Sequence, residues 1–200
     1  MAKKMLSWVK NLRDTKKPND MKRTPEKLAK VLIELVPLEK EDTVLDGFAG
    51  DMVWYDNYPE IVVKDWCEID KGRDFFSYNK SYDWVIGNPP YSIINKILDK
   101  CFEAKKGFAL LLNLMNLTPQ RIVKIQEAGF NITHLRVCNV KGWFGKQMFI
   151  ICDRTLPSVL SCDTTYYNMP PKERKEFEEK MKAYQANYYK GKKLKENIAN

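Results

Sequence analysis

The chain has 200 residues, 44% of them apolar, with 34 Lys/Arg against 26 Asp/Glu and a net charge of +8. That is enough chain to bury the core of one domain with appendages, and no window reaches the roughly 18–20 apolar residues of a membrane span, so a cytoplasmic protein without a membrane partner is expected. The five cysteines are odd in number and at least ten residues apart, and the single histidine, His134, has no partner, so buried reduced thiols are expected and no disulfide framework or metal site.

The charge is uneven: residues 1–30 carry a net +7, residues 172–200 a net +4, and the stretch between them −3. Basic flanks around a near-neutral middle suit a polyanion held beside a site in the core. Lys-rich ends that serve only solubility give the same pattern.

Residues 1–23 form a basic arm that contains Trp8 and ends in the loop TKKPND. TPEKLAKVLIELVP then has Thr24 as N-cap and Pro25 at the first helical position. Leu28, Val31, Leu32, Leu35 and Val36 make its apolar stripe, and Pro37 closes it. DTVLDGFAGDM reads as a strand over 43–45 that runs into a glycine turn. EIVVKDWCEID gives a second strand over 61–67, ending in acids, and YDWVIGNPPY a third. Residues 93–105 are helical by their apolar spacing, and GFALLLNL is an all-apolar strand of the kind buried inside parallel sheets. TPQRIVKIQEAGF repeats the Thr-Pro helix start, with Gly129 at its C-terminal cap. NITHLRVCNV and QMFIICDR are two strands joined by the Gly-flanked loop KGWFGK. Strands alternating with helices and finishing in an antiparallel pair define an open α/β sheet with helices on both faces. The expected division is an arm at 1–23, a domain at 24–155 and a basic, helical extension and tail at 156–200.

In such a sheet a ligand sits outside the carboxyl ends of the strands, near the switch point. VLDGFAGD places an acid at a strand end and Gly47 and Gly50 where a ligand must approach the backbone; without a Walker lysine it is not a phosphate cradle. In CEID, Glu68 stands where two ribose hydroxyls can each donate to one carboxylate oxygen. Further on, Asp74 suits an exocyclic amine and Phe75 a purine face, against the plainer reading of Phe75 and Phe76 as core.

NPPY carries the sharpest chemistry. The Asn88 amide oxygen and the Pro89 carbonyl can both accept from one planar NH2 group, which frees the lone pair delocalised into its ring or carbonyl. Pro89 and Pro90 hold the two acceptors rigid, so no reorganisation is needed. Tyr91 can stack on the group that carries the amine. A purely structural Asn-Pro-Pro turn is the alternative, and the agreement of three neighbouring strand ends weighs against it.

With these motifs the chain resembles class I S-adenosylmethionine-dependent methyltransferases of the amino-methylating type, which modify adenine N6, cytosine N4 or a glutamine amide. The resemblance covers about residues 24–153. It implies a Rossmann-like methyltransferase sheet and S-adenosylmethionine as cofactor. The family's cofactor motif corresponds to DGFAG, from Asp46 through Gly47 and Phe48 to Gly50. Its ribose-binding acid falls on Glu68, followed by Ile69, and its adenine contacts fall on Asp74 and Phe75. Asn88, Pro89, Pro90 and Tyr91 match the catalytic tetrad, with Asn88 also beside the cofactor. Thr24 and Pro25 match a helix start that serves the methionine end in one subclass of adenine-N6 enzymes.

Three departures stand out. Asp51 and Met52 occupy positions where many members have a small residue and a further glycine. Only 14 residues, 68–81, separate Glu68 from the third strand, where the family has a helix, a strand and a helix, so the sheet is expected to be shortened after its second strand. The roughly 45 residues after Asp153 are too few and too polar for a large target-recognition domain. Recognition then falls to KGWFGK and the basic ends, with Trp143 or Phe144 closing the second face of the target base. The resemblance implies an enzyme that methylates an exocyclic amine, with nucleic acid as partner: adenine N6 in DNA first. RNA adenine or guanine, cytosine N4, a protein glutamine, or an inactive nucleic-acid-binding homologue are the alternatives.

Overall fold

The computed structural model describes residues 23–163 and, beyond them, positions 173, 175, 176, 179, 180 and 183. Residues 1–162 and 163–200 are separate compact units. In the second, Asp163 is irregular and the six described positions from 173 on are helical. The arm at 1–22 and the rest of the tail lie outside the described residues. No helix among the described residues is long and apolar enough to cross a membrane.

The first unit is built on six strands: β1 (Thr43–Asp46), β2 (Val63–Trp66), β3 (Trp84–Gly87), β4 (Gly107–Asn113), β5 (Asn131–Cys138) and β6 (Gln147–Asp153). Their order across the sheet is β2-β1-β3-β4-β6-β5. The first four run parallel, while β6 inserts antiparallel between β4 and β5. The chain moves outward from β1 to β2, then reverses to β3 on the other side, so the switch point falls between β1 and β3.

Strand residues alternate between two apolar layers. Leu45, Val85, Phe108, Leu110, Leu112, Met148 and Ile150 face one side, beneath α3 (Ile94–Cys101) and α4 (Pro119–Glu127). Val44, Trp84, Ile86, Ala109, Leu111, Phe149 and Ile151 face the other, beneath α1 (Glu26–Ile33) and α2 (Val53–Asn57). Coverage on both faces explains why β4 and β6 read as unbroken apolar runs. Cys67, Cys101, Cys138 and Cys152 are buried free thiols, and Cys162 is half-buried.

Helix α1 corrects the sequence reading in two ways. Pro25, not Thr24, is the N-cap, and it makes no side-chain cap bond. The Thr24 hydroxyl instead accepts from the Trp54 indole N–H at 3.1 Å, both groups being buried. The packed stripe is Ala29, Leu32, Ile33 and Val36, while Val31 is 41% exposed. Val31, Leu32 and Ile33 form a continuous apolar run, and periodicity cannot set the phase of a helix through such a run.

The five-residue α2 was not anticipated. Its N-cap is Met52, whose φ of 71° is left-handed, so the turn keeps the backbone shape that favours glycine and places a side chain there at a cost of about 1–2 kcal/mol.

After β2 the expected shortening is present: two 3₁₀ turns, Ile69–Lys71 and Phe75–Ser77, lead to β3, and β2 is the sheet edge. Asp65 organises this segment by accepting from Arg73, from Lys80 at 3.1 Å and from the Tyr78 hydroxyl at 3.0 Å. Burial raises the Asp65 carboxyl, but the Trp66 amide and these three donors outweigh it and hold the group at about 2, below its ordinary 3.8. The stabilisation is therefore complete above about pH 4 and lost as pH falls towards 2. We expect Asp65→Asn to cost about 2 kcal/mol at pH 7 and much less near pH 2, measured by denaturant titration at both pH values.

Candidate active site

A cavity of about 520 Å³ opens at the switch point. The ends of β1, β2 and β3 supply its walls: Gly47, Phe48, Ala49 and Gly50 from the first, Glu68 and Ile69 from the second, Asn88 and Pro90 from the third. Thr24, Asp74 and Phe75 also line it, whereas Pro25, Asp46, Pro89, Tyr91, Trp143 and Phe144 stand outside the lining. Arg23, Asp51, Trp54, Phe76, Ser92 and Ile93 line it too, and the sequence reading did not single them out for this. For Arg23, Asp51, Phe76 and Ser92 the one signal in the sequence was adjacency to a motif residue; Trp54 and Ile93 had none.

The glycine turn is shaped by its neighbours. A Cβ on Gly47 would lie 2.8 Å from the Phe75 ring, and Gly50 has a φ of 51°, so both positions suit glycine. Gly50 N–H donates to Glu68 Oε2 at 2.8 Å, and Asp70 N–H donates to Glu68 Oε1 at 3.1 Å. Each Glu68 oxygen thus takes one backbone donor and keeps a second lone pair for a further one.

Asp46, at the end of β1, is fully buried. Its Oδ1 accepts from Phe48 N–H at 3.1 Å, and its Oδ2 has no partner among the described residues. Burial pushes this carboxyl up to about 7, against the pull of the Phe48 amide and of the Tyr55 amide, which approaches without closing a well-formed hydrogen bond.

Asp74 caps the second 3₁₀ turn, accepting from Phe76 N–H at 3.1 Å and from the Ser77 hydroxyl at 3.0 Å. Phe75 is 4% exposed and stands edge-on to Phe48, ring centroids 4.9 Å apart. It therefore belongs to the core, while Phe48, Ile69 and Phe76, all half-buried, offer the broader apolar wall.

The Asn88–Pro89–Pro90 segment leaves β3 and enters a 3₁₀ turn, Tyr91–Ile93. The Tyr91 hydroxyl lies 3.2 Å from both Asn88 Oδ1 and Gln147 Oε1. Gln147 Nε2 donates to the Phe144 carbonyl at 3.0 Å, and Asn113 Nδ2 donates to the same oxygen at 2.8 Å. This chain of bonds ties the loop that bears Trp143 and Phe144 to the NPPY turn. Trp143 packs on the α1 side of the sheet, and the Phe144 side chain is 77% exposed.

No family model and no curated protein matches the chain. Solved structures do match it. The 23S rRNA methyltransferase ErmE aligns at TM-score 0.53 and 16% identity over 69% of this chain and 71% of its own. Trm5b from Pyrococcus abyssi aligns at 0.51 and 12% over 66% of this chain and 50% of its own. TrmN from Thermus thermophilus aligns at 0.44 and 16% over 64% and 48%. The chain thus spans about half the length of Trm5b and TrmN. The fold is the Rossmann-like one that ErmE and Trm5b share.

The residues present fit S-adenosylmethionine. The cavity has the volume of a small-molecule site, a carboxylate at Glu68, an apolar wall of Phe48, Ile69 and Phe76, and, behind the turn, a buried Asp46 oxygen that closes no hydrogen bond among the described residues.

Proposed function

We propose that this protein methylates an exocyclic amine of a nucleic-acid base, with adenine N6 in DNA as the first substrate. The observation that carries the reading is the shared cavity: the NPPY turn and the glycine turn border the same space at the switch point. S-adenosylmethionine, when bound, supplies a methyl group already activated on a sulfonium. What the chain must do is present a nucleophilic nitrogen in line with it.

In this reading Glu68 takes the ribose hydroxyls, and Asp74 holds the adenine end against the wall of Ile69, Phe48 and Phe76, with Phe75 packed behind Phe48. Thr24 and Pro25 serve the methionine end, with Asp46 behind Gly47 and Gly50. Asn88 Oδ1 and the Pro89 carbonyl accept the two N–H bonds of the target amine, Pro90 keeps the turn rigid, and Tyr91 stacks on the base. Phe144, with Trp143 behind it, closes the other face. The surplus proton leaves to water.

The surface around the tetrad supports a nucleic-acid partner. Residues 88–96, 113–121 and 139–147 contain Lys96, Arg121, Lys141 and Lys146 and no Asp or Glu. Among them Leu114, Met115 and Phe144 are exposed large apolar side chains. Apolar surface within a cationic rim suits a strand whose target base has left the stack.

A second reading, an adenine or guanine amine in RNA, is favoured by the rRNA methyltransferase among the structural matches. Tritiated methyl transfer to duplex DNA, single-stranded DNA, RNA and protein, followed by nucleoside analysis, decides between them. We expect label in N6-methyladenine from DNA. Label in RNA alone moves the assignment to the second reading, and cofactor binding without any transfer leaves an inactive homologue.

A further inference from the structure

We propose that Arg23 and Asp51 form a two-charge receptor for the amino-acid end of the cofactor, Arg23 for the α-carboxylate and Asp51 for the α-ammonium; the inference rests on S-adenosylmethionine as the ligand of the cavity and not on which amine is methylated. Both residues line the cavity, and Arg23 Nε stands 3.6 Å from Asp51 Oδ2. That is longer than a formed hydrogen bond, and the two side chains are 83% and 35% exposed. An open pair of this kind contributes little to stability, so it parts at little cost when a ligand brings charges of its own. An α-amino acid carries its ammonium and its carboxylate on one carbon. The cavity offers the counterpart, one carboxylate and one guanidinium side by side.

The fold sets this pair up from beneath. Arg23 precedes Thr24, whose hydroxyl accepts from the Trp54 indole N–H at 3.1 Å, and Asp51 stands three residues before Trp54. Thr24 and Trp54 are both buried, so a dry bond clips the segment before α1 to the segment that enters α2. The two charged side chains then meet at the cavity wall. The Thr24 hydroxyl is thus used to fix the backbone that carries Arg23, and not to cap its own helix. Asp51 is also a departure from the family pattern, an acid where many members have a small residue. Gly50 before it donates its N–H to Glu68. The acceptor for the ammonium therefore comes directly after the residue that holds the ribose acid, as the amino-acid chain follows the ribose in the ligand. A guanidinium matches a carboxylate with two parallel N–H donors. A surface ion pair that only ties residue 23 to the turn would leave ligand binding indifferent to either charge.

The test is equilibrium binding by calorimetry to the full chain and to its Arg23→Gln and Asp51→Asn variants. S-adenosylhomocysteine carries both amino-acid charges, decarboxylated S-adenosylmethionine keeps only the amine, and 5′-methylthioadenosine has neither. Each substitution should raise Kd for S-adenosylhomocysteine by about 10-fold, the scale of one charge-assisted hydrogen bond. Decarboxylated S-adenosylmethionine should be weakened about 10-fold by Asp51→Asn and not weakened by Arg23→Gln. The Kd of 5′-methylthioadenosine should change by less than about 2-fold in both variants. Equal losses across the three ligands would overturn the proposal, and so would an unchanged affinity for S-adenosylhomocysteine in both variants. A wild type that binds these ligands but transfers no methyl group counts against the proposed function alone, and the same Kd values still decide the Arg23–Asp51 assignment. A wild type that binds none of them overturns the assignment.

Discussion

Asn88→Ala is expected to lower methyl transfer by about 10²–10³-fold, the usual loss when one preorganised polar contact to the reacting group is removed. Cofactor affinity should change by less than about 3-fold. The two effects separate because Asn88 leaves β3 on one side of the cavity, while the carboxylate of Glu68 is held on the other by Gly50 and Asp70. With Asn88 gone, the Pro89 carbonyl accepts one N–H and the nitrogen keeps its lone pair in the ring. Single-turnover transfer and equilibrium binding of S-adenosylmethionine measure the two quantities. Near-normal turnover in Asn88→Ala would end the tetrad assignment, whatever the substrate.

Asp46→Asn should act on stability and on binding in opposite directions. The Asp46 carboxyl sits at about 7 in the folded protein, above its ordinary 3.8, because burial penalises the charged form. For an acid raised in this way the cost is absent below 3.8, grows as pH rises, and is complete above 7. The shift corresponds to a ceiling of roughly 4 kcal/mol at pH 8. An asparagine there leaves an unpartnered amide worth about 1–3 kcal/mol against it, so a net gain of about 2 kcal/mol is expected at pH 8. At pH 4 the charging cost is gone while the amide penalty stays, so the gain should turn into a loss of about 1–3 kcal/mol, and thermal melts at the two pH values check this reversal. Binding should weaken by about 10-fold at pH 8, since a cationic ligand in the adjacent cavity favours the carboxylate. In the wild type, affinity should fall as pH drops below 7, and in Asp46→Asn it should not. A variant that melts like the wild type at both pH values would remove Asp46 from this role.

Much of this protein is legible in its sequence because the deciding physics is local. The all-apolar run 107–112 reads as a strand covered on both faces, and so it is. The Thr118-Pro119 start caps its helix as expected, with the Thr118 hydroxyl 3.4 Å from Arg121 N–H. The two prolines of NPPY announce a rigid turn, and Gly47, Glu68 and Asn88 could be assigned to strand ends before any of them was placed in space. The short span 68–81 already implied a sheet that stops early.

Other features depend on partners far along the chain. Thr24 lost its cap to Trp54, 30 residues away, and the phase of α1 was set by the sheet it packs on. Asp74 turned to Phe76 and Ser77, and Phe75 to the core under Gly47. The insertion of β6 between β4 and β5 brought Gln147 against Tyr91, 56 residues before it. Sequence alone determined the chemistry at each strand end, because it resides in single residues and tight turns. Only the tertiary structure decided which of those ends share one cavity and which way their hydrogen bonds run, because both follow from strand order and burial, and neither is a property of any one segment.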